Sequence, residues 1–305
     1  MDNIAKLEVF NVLNFINKGY EIDYIFDKAD FSTFKSLEEC VDYLTREGFL
    51  SGGDELITAE ELAKMKVTEL KEHLKARGMK VSGKKQELID RLLPVINEKA
   101  ERGLDAFREE ETACEQELTE KAKEFLAENE WIDLYMFALV FFDFNDYVTY
   151  YEASDAGNVQ TALNFCDEVI SRSLMTNNFM IFIDALSAKA HVYAYDKDYD
   201  SFLDYDLQRY ILGLNPIFLE PQTYATYEII NKANITNIGN VVGSFDMGSL
   251  RKRFNKIWNK SNIQHATVPK KTCFKLLERA IAGADIDELN FELRVKYFDK
   301  KFGIQ

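Results

Sequence analysis

The fold class is decided by residues 158–213, which read NVQTALNFCDEVISRSLMTNNFMIFIDALSAKAHVYAYDKDYDSFLDYDLQRYILG. Apolar residues recur in this stretch at helical spacing, and only short polar segments interrupt them. No proline occurs between Pro94 and Pro216, so the turn residues that strands and hairpins need are scarce. The pattern predicts three helices joined by short links, at residues 158–176, 179–195 and 200–213.

The helical pattern continues on both sides of this stretch. It predicts further helices at residues 131–153 and 221–233, and one long, charged connector helix at residues 97–129. Ala185–Pro216 loosely resembles a tetratricopeptide repeat but is too long for one, and no second copy is visible. We therefore expect a mostly α chain, in which a small helical N-terminal region precedes a larger α-helical bundle or helical-hairpin array at residues 131–305.

Residues 1–57 form a small acidic segment with short apolar runs. Ser36–Phe49 has apolar residues at near-helical spacing, and Gly48 stands where a helix of this length would end. A helix followed by a short extended piece fits a winged-helix-like subdomain, or a small helical adaptor packed on its neighbour. Gly52 and Gly53 mark the expected linker to the next segment.

The net charge is strongly acidic but unevenly distributed. The 305 residues include 37 Lys and Arg against 52 Asp and Glu, a formal net charge of −15. Such an average argues against a nucleic-acid binder, because affinity for phosphate backbones depends on Lys and Arg. Residues 62–94 and 249–277 depart from it with +5 and +8, which leaves −28 for the rest. The hydrophobic fraction of 47% argues against disorder over most of the chain.

Residues 62–94, which we call the basic module, are predicted to form a helix, an extended loop and a second helix. Gly78 stands where the first helix should end, and Ser82 or Gly83 stands where the second should be N-capped. Apolar residues spaced three and four apart define the inner faces of the two helices: Val67, Leu70 and Leu74 in the first, and Leu88, Ile89, Leu92 and Leu93 in the second.

The sequence LAKMKVTELKEHLKARGMKVSGKKQELIDRLL, at residues 62–93, resembles the SAP domain, a helix–loop–helix DNA-binding module. The positions that match the family's pattern are Val67, Leu70, Leu74, Gly78, Gly83, Lys85, Leu88, Arg91 and Leu92. The resemblance implies binding to double-stranded DNA, often AT-rich and with weak sequence preference. Small modules of this shape also bind proteins, so a solvated basic surface or a protein-binding hairpin is the alternative.

Elementary chemistry supports a phosphate contact in the basic module. Backbone N–H groups beside Gly83 can approach a phosphate closely because no side chain blocks them. Lys71 and Lys75 lie one helical turn apart and share a face of the first helix. The candidate DNA-binding residues are Lys71, Lys75, Arg77, Lys80, Ser82, Gly83, Lys84, Lys85 and Arg91.

Residues 249–277, which we call the second basic segment, contain no acidic residue. The spacing of Phe254 and Trp258 after Arg251 places the aromatic residues on a core face. Two explanations account for the charges equally well. One is a second nucleic-acid contact with stacked bases, and the other is a solvated helix lying against the acidic residues 95–248. The candidate contact residues are Arg251, Lys252, Arg253, Lys256, Lys260, Lys270 and Lys271.

No catalytic or metal-binding signature is visible. The histidines, His73, His191 and His265, are widely separated, and no glycine-rich phosphate loop or catalytic triad pattern occurs. The aspartates at 196, 198 and 200 begin like a calcium loop, but serine and leucine follow where glycine and glutamate are required. The carboxylate pair at 143 and 146 has no nuclease context. We expect a non-enzymatic protein without metal or cofactor.

Location and partners follow from the remaining signals. The N-terminus does not resemble a secretory signal, Trp131–Phe142 is too short to cross a bilayer, and the four cysteines lack a CxxC pair. We expect a cytoplasmic protein of bacterial or phage type, with duplex DNA on the basic module. The helical C-terminal region is expected to bind a protein partner or to self-associate. The alternatives are an acidic scaffold or inhibitor with a basic partner, and an unrecognised DNA-processing enzyme.

Overall fold

The computed structural model describes residues 1–20, 31–51, 59–76, 79–92, 117–219, 227–242 and 246–302. The chain divides into two compact units, Met1–Asn129 and Glu130–Gln305. Both are built mainly from helices, which confirms the mostly α fold class. Among the described helices, none combines the length and the apolar character that crossing a bilayer requires.

The first unit contains six described helices and a two-stranded antiparallel ladder in which Leu50 lies opposite Leu118. Helices and strands of the N-terminal part share one apolar core, which includes Val9, Leu44 and Ala122. The elements are α1 (Asn3–Asn17), α2 (Leu37–Arg46), β1 (Leu50–Ser51), α3 (Ala59–Lys64), α4 (Val67–Ala76), α5 (residues 85–92), β2 (Glu117–Leu118) and α6 (Glu120–Glu128).

Helix α2 begins and ends where its sequence predicts. The Ser36 side chain accepts a hydrogen bond from the Glu39 N–H, which satisfies one of the free donors of the first turn. Gly48 has φ +73°, a left-handed conformation that glycine adopts at little cost. The N–H of Phe49 then donates to the Leu44 carbonyl oxygen, 2.8 Å away, and closes the helix in a Schellman motif.

The predicted connector helix at residues 97–129 is wrong at residues 117–119, although residues 120–128 are helical as predicted. Residues 117–118 form β2, and Thr119 caps α6 by accepting from the Ala122 N–H. The Thr119 hydroxyl also donates to the Gly48 carbonyl oxygen at 2.7 Å, which ties α6 to the end of α2. Ala122, Phe125 and Leu126 of α6 pack into the N-terminal core. Residues 97–116 lie outside the described residues.

The second unit is an array of helices around a large apolar core, which includes Leu207, Ile211, Phe254 and Leu277. Its first elements are α7 (Glu130–Leu134), a π-helical turn (Tyr135–Leu139), α8 (Phe144–Glu152), α9 (Asn158–Met175), α10 (Phe179–Tyr195) and α11 (Tyr199–Leu214). They are followed by α12 (Lys232–Val242), α13 (Met247–Lys260), α14 (Lys270–Ile281), α15 (Ile286–Leu293), a second π-helical turn (Arg294–Phe298) and α16 (Asp299–Phe302).

Two links of the same geometry join α9, α10 and α11. Asn177 and Lys197 take the left-handed conformation directly after the C-cap, with φ of 52° and 62°. The next residue in each link, Asn178 or Asp198, caps the following helix through its side-chain oxygen. Each link therefore ends one helix and starts the next within three residues, which makes a helical hairpin, as the polar link sequences predict.

Two predicted helices have different boundaries. The helix expected at residues 131–153 is interrupted, because Asp143 accepts from the Asp146 N–H and starts α8. The helix expected at 221–233 is wrong over residues 227–231, which are extended or bent; residues 220–226 lie outside the described residues. There, Asn290 satisfies the backbone of Ile230 by accepting from its N–H at 2.7 Å and donating to its carbonyl oxygen at 3.0 Å.

Asn215 connects two segments of the core that are distant in sequence. It is 3% exposed, donates to the Ile211 carbonyl oxygen at 3.0 Å and accepts from the Val268 N–H at 3.0 Å. Asn215→Ala should lower the free energy of unfolding by about 1–3 kcal/mol, because it leaves the Val268 N–H buried without an acceptor. Asn259→Ala, at an exposed position, should cost less than about 0.5 kcal/mol. Urea unfolding of both variants measures the difference, and equal losses would contradict the role of Asn215.

Candidate nucleic-acid interface

The basic module has a miniature core of its own. The leucines predicted to face inward at 70, 74, 88 and 92 are fully buried, and Ile89 is 2% exposed. Val67, which the spacing placed on the same face, is 37% exposed and lies outside this core. The buried set is Leu62, Leu70, Leu74, Leu88, Ile89 and Leu92, with Met65 and Met79 packed against it.

A third helix contributes to the module, and our sequence analysis missed it. Helix α3 precedes α4 and supplies Leu62, which is fully buried against the two predicted helices. The acidic residues at the start of α3 are a typical helix-start signal and could have indicated it.

The N-cap of α5 is Lys84, whereas the sequence predicted Ser82 or Gly83. The Leu88 N–H donates to the Lys84 carbonyl oxygen at 3.1 Å, so the first helical hydrogen bond begins at Lys84. The Glu87 carboxylate accepts from the Lys84 N–H at 3.2 Å, the reciprocal half of a capping box. A phosphate that approached the Lys84 N–H would have to displace this carboxylate. The sequence pattern did not predict this competition.

Gly83 has φ +144°, a conformation that side-chain-bearing residues rarely adopt. A Cβ atom at this position would lie 2.6 Å from Glu87 Oε2. The glycine therefore allows both the turn before α5 and the close approach of the capping carboxylate.

Two predicted DNA-binding residues are engaged with the module's own backbone. Lys85 Nζ donates to the Ala63 carbonyl oxygen at 2.6 Å, near the end of α3. Arg91 donates to the carbonyl oxygens of Lys80 and Ser82, at 2.5 and 3.2 Å, and so ties the loop to α5. Both side chains are half-buried, and these bonds give them a part in holding the module together.

Four of the lysines predicted to bind DNA are exposed: Lys71, Lys75, Lys80 and Lys84. The first two lie on the same side of α4, and the other two lie in the loop before α5. None of the four side chains makes an ion pair with a described residue. Arg77 and Gly78 lie outside the described residues, so the predicted contact and C-cap there stay predictions.

The second basic segment forms α13, a loop and most of α14, and acidic side chains hold part of it. Arg253 donates to Asp204 at 2.5 Å and to Asp200 at 2.6 Å, both on α11. Lys256 lies 3.8 Å from the same Asp204. On this side of α13 the helix lies against acidic residues of region 95–248, one of the two explanations that the sequence left open.

Base stacking on Phe254 and Phe274 of this segment is contradicted by burial, whereas Trp258 is only partly buried. Phe254 is 1% exposed and Phe274 is 6% exposed, so neither ring face is open to a base. The two rings pack against each other with centroids 5.1 Å apart, as part of the core of the second unit.

The carboxylates that suggested metal chemistry have structural partners. Asp198 caps α11 by accepting from the Ser201 N–H at 3.0 Å, and Asp200 pairs with Arg253. Asp143 caps α8. In the parts of the chain that the structure describes, no three His, Cys, Asp or Glu side chains converge into a group that could hold a metal ion.

Comparison with known proteins identifies the module. Residues 61–95 match the family model described as SAP domain, which is 35 of the 305 residues. No curated protein and no solved structure matches the chain. The matched residues contain the α3–α5 core, the positive-φ glycine before α5 and the four exposed lysines described above. In the sequence, residues 61–95 lie between the two parts of the N-terminal core, residues 9–50 and 118–126. Residues 61–95 are therefore a SAP domain, a module of the nucleic-acid-binding class.

Proposed function

We propose that the protein binds double-stranded DNA through its SAP domain, without catalysis, and that the second unit binds a protein partner or self-associates. The observation that carries the DNA contact is the set of four exposed lysines on α4 and the following loop, which no described carboxylate neutralises. Because such contacts go to phosphates, binding is expected to be weak in sequence preference and strongly dependent on salt.

Lys71→Glu combined with Lys75→Glu tests the DNA contact. The double variant should lose at least about ten-fold in affinity for an AT-rich duplex at 100 mM salt, and its salt slope should fall by about 1.8, because each phosphate contact contributes about 0.9. Fluorescence anisotropy titrations at several salt concentrations measure both quantities. Thermal melting of the full chain checks folding, since both side chains are exposed.

A matched control keeps the result specific to the SAP domain. Lys232→Glu with Lys300→Glu makes the same change of charge on exposed lysines of α12 and α16, outside both basic segments. If this control weakens binding as much as the double variant in α4, the SAP domain is not the principal contact.

The second unit supports a protein contact through apolar side chains that it leaves exposed. Phe137, Val140 and Phe141, at the π-helical turn and just beyond it, are 51%, 52% and 65% exposed. Light scattering of the full chain over a concentration series distinguishes self-association from recruitment of another protein. An acidic scaffold for a basic partner is the alternative. A basic peptide that binds the wild type and the Lys71→Glu, Lys75→Glu variant with equal affinity would favour it.

We also propose that the protein is cytoplasmic and has no catalytic role. The placement of the histidines supports the absence of a catalytic role, because His191 bonds the Ser187 carbonyl oxygen within its own helix, while His73 and His265 lie exposed on α4 and in the loop before α14. Divalent-metal-dependent cleavage of plasmid DNA by the purified chain would contradict the non-enzymatic assignment.

A further inference from the structure

The second basic segment has two sides with different electrostatic surroundings. On one side, Asp200 and Asp204 of α11 bind Arg253 and approach Lys256, so that these two cations face two carboxylates. The other side faces α14, which brings three lysines and one carboxylate, Glu278. The excess positive charge of the segment is therefore concentrated between α13 and α14.

A groove of about 370 Å³ lies between these two helices. Its charged lining consists of Arg251 on α13 and Lys270, Lys271, Lys275 and Glu278 on α14. Four cations and one carboxylate give this lining a net charge of +3. The sequence predicted contacts at residues 251, 270 and 271 but did not include Lys275, which the structure adds to them.

Internal contacts hold one cation of the groove and leave the lysines available. Arg251 pairs with Glu278 at 3.0 Å and lies over the Phe274 ring at 4.7 Å, so the only acid of the lining is already neutralised. Lys271 and Lys275 are exposed, lie one helical turn apart and make no ion pair with a described residue. Lys270 makes a long bond, 3.3 Å, to Asn259 Oδ1, and its Nζ lies 6.0 Å from the centroid of the Trp258 ring.

We propose that the groove between α13 and α14 binds the phosphodiester backbone of nucleic acid, as a second contact in addition to the SAP domain. The inference rests on the proposed function, because the same ligand class is assigned to both sites. The two aromatic residues of the lining, Phe254 and Phe274, are buried and offer no open ring face to anchor a peptide side chain, so the exposed Lys271 and Lys275 favour phosphates over an acidic peptide. The positive end of the α14 dipole, where Lys270 and Lys271 lie, adds to the attraction for an anion.

The experiment counts how many short duplexes one full-length chain binds. A duplex of about 10 base pairs spans roughly 34 Å and offers few phosphates to two sites at once. We expect two duplexes per wild-type chain in low-salt sedimentation or calorimetric titrations. Lys271→Glu with Lys275→Glu should bind one, at the SAP domain, whereas Lys232→Glu with Lys300→Glu, at exposed positions outside both basic segments, should still bind two.

The same titration on the SAP variant separates the two proposals. Lys71→Glu with Lys75→Glu should retain one duplex per chain if the groove binds nucleic acid. One duplex per wild-type chain that is lost only in the SAP variant would overturn the groove site and leave the SAP contact standing. Two duplexes in the SAP variant would overturn the SAP contact instead.

An acidic protein ligand is tested with a fluorescent polyglutamate peptide. We expect this peptide to bind more weakly than the duplex and to be displaced by it from the groove. Peptide binding that Lys271→Glu with Lys275→Glu abolishes, with duplex stoichiometry unchanged, would overturn the nucleic-acid assignment of the groove. Thermal melting that matches the wild type confirms that the exposed substitutions leave the fold intact.

Discussion

Leu74→Ala is expected to unfold the SAP domain of the full-length chain while residues 130–302 stay folded. Leu74 is fully buried in a core to which six buried residues contribute among those that the structure describes. Removing a buried leucine side chain costs about 2–5 kcal/mol, whereas a core of this size rarely supplies more than about 3–5 kcal/mol. The second unit has its own large core, so the loss should stay within the first unit.

Hydrogen exchange of the full chain measures this outcome segment by segment. Protection should disappear from α4 and α5 in the variant and persist in α9–α11, and duplex affinity should fall with it. Val67→Ala provides the matched control on the same helix, because Val67 is 37% exposed and lies outside the core. It should change stability by less than about 1 kcal/mol. Equal loss of protection in the two variants would contradict the described core.

The SAP domain was the part of the chain most open to prediction, because its contacts are local. Spacing of three and four correctly placed Leu70, Leu74, Leu88 and Leu92 inside. The same spacing could not tell that Val67 points partly to solvent, since exposure depends on how α3 packs. It also could not tell that Lys85 and Arg91 turn back to the module's own carbonyl groups, which are 22 and 9–11 residues away.

Elsewhere the misses come from contacts between distant residues. Strand β2 exists because Leu118 pairs with Leu50, and its two residues carry no strand signal of their own. Residues 229–230 have apolar side chains that suit a helix, but the chain bends there. Asn290, 60 residues after Ile230, bonds the N–H and the carbonyl oxygen of Ile230 in this bent conformation. The short hairpin links were predictable because the Asn and Asp residues that end and begin helices are local signals.

The second basic segment shows why charge alone left two explanations open. Its charged residues are all positive, yet the structure pairs Arg253 with carboxylates 49 and 53 residues earlier and shows no ion pair of Lys271 or Lys275 with a described residue. Net charge per segment is additive along the chain, whereas the local field depends on which helices pack together. The division of the segment into a neutralised side and a positive groove therefore required the fold.

Asp206 on α11 carries the clearest pH dependence of stability in the second unit. The Asp206 side chain is fully buried. Its Oδ1 accepts a hydrogen bond from the Asn234 amide at 3.0 Å, whereas its Oδ2 has no hydrogen-bond partner among the described residues. Burial raises the pKa of Asp206 from 3.8 to about 6, and the nearby charges of Arg209 and His191 offset only part of this effect. The pKa of Asp184 on α10 is also raised by burial, with Arg209 opposing it.

Asp206→Asn should flatten the pH dependence of the unfolding free energy. A carboxyl with a higher pKa in the folded state binds its proton there first, so wild-type stability should rise as pH falls through about 6 toward 4. The cost of ionising this group is on the order of 3 kcal/mol at pH 7, and about 1 kcal/mol of it should be recovered at pH 5. The asparagine variant should lack this gain, and Asp206→Ala should lack it too while being less stable throughout, because Asn234 loses an acceptor.

Denaturant unfolding at pH 7, 6 and 5 compares the three proteins, and the contribution of Asp184 is common to all of them. Parallel pH curves for wild type and Asp206→Asn would show that this carboxyl does not titrate near pH 6.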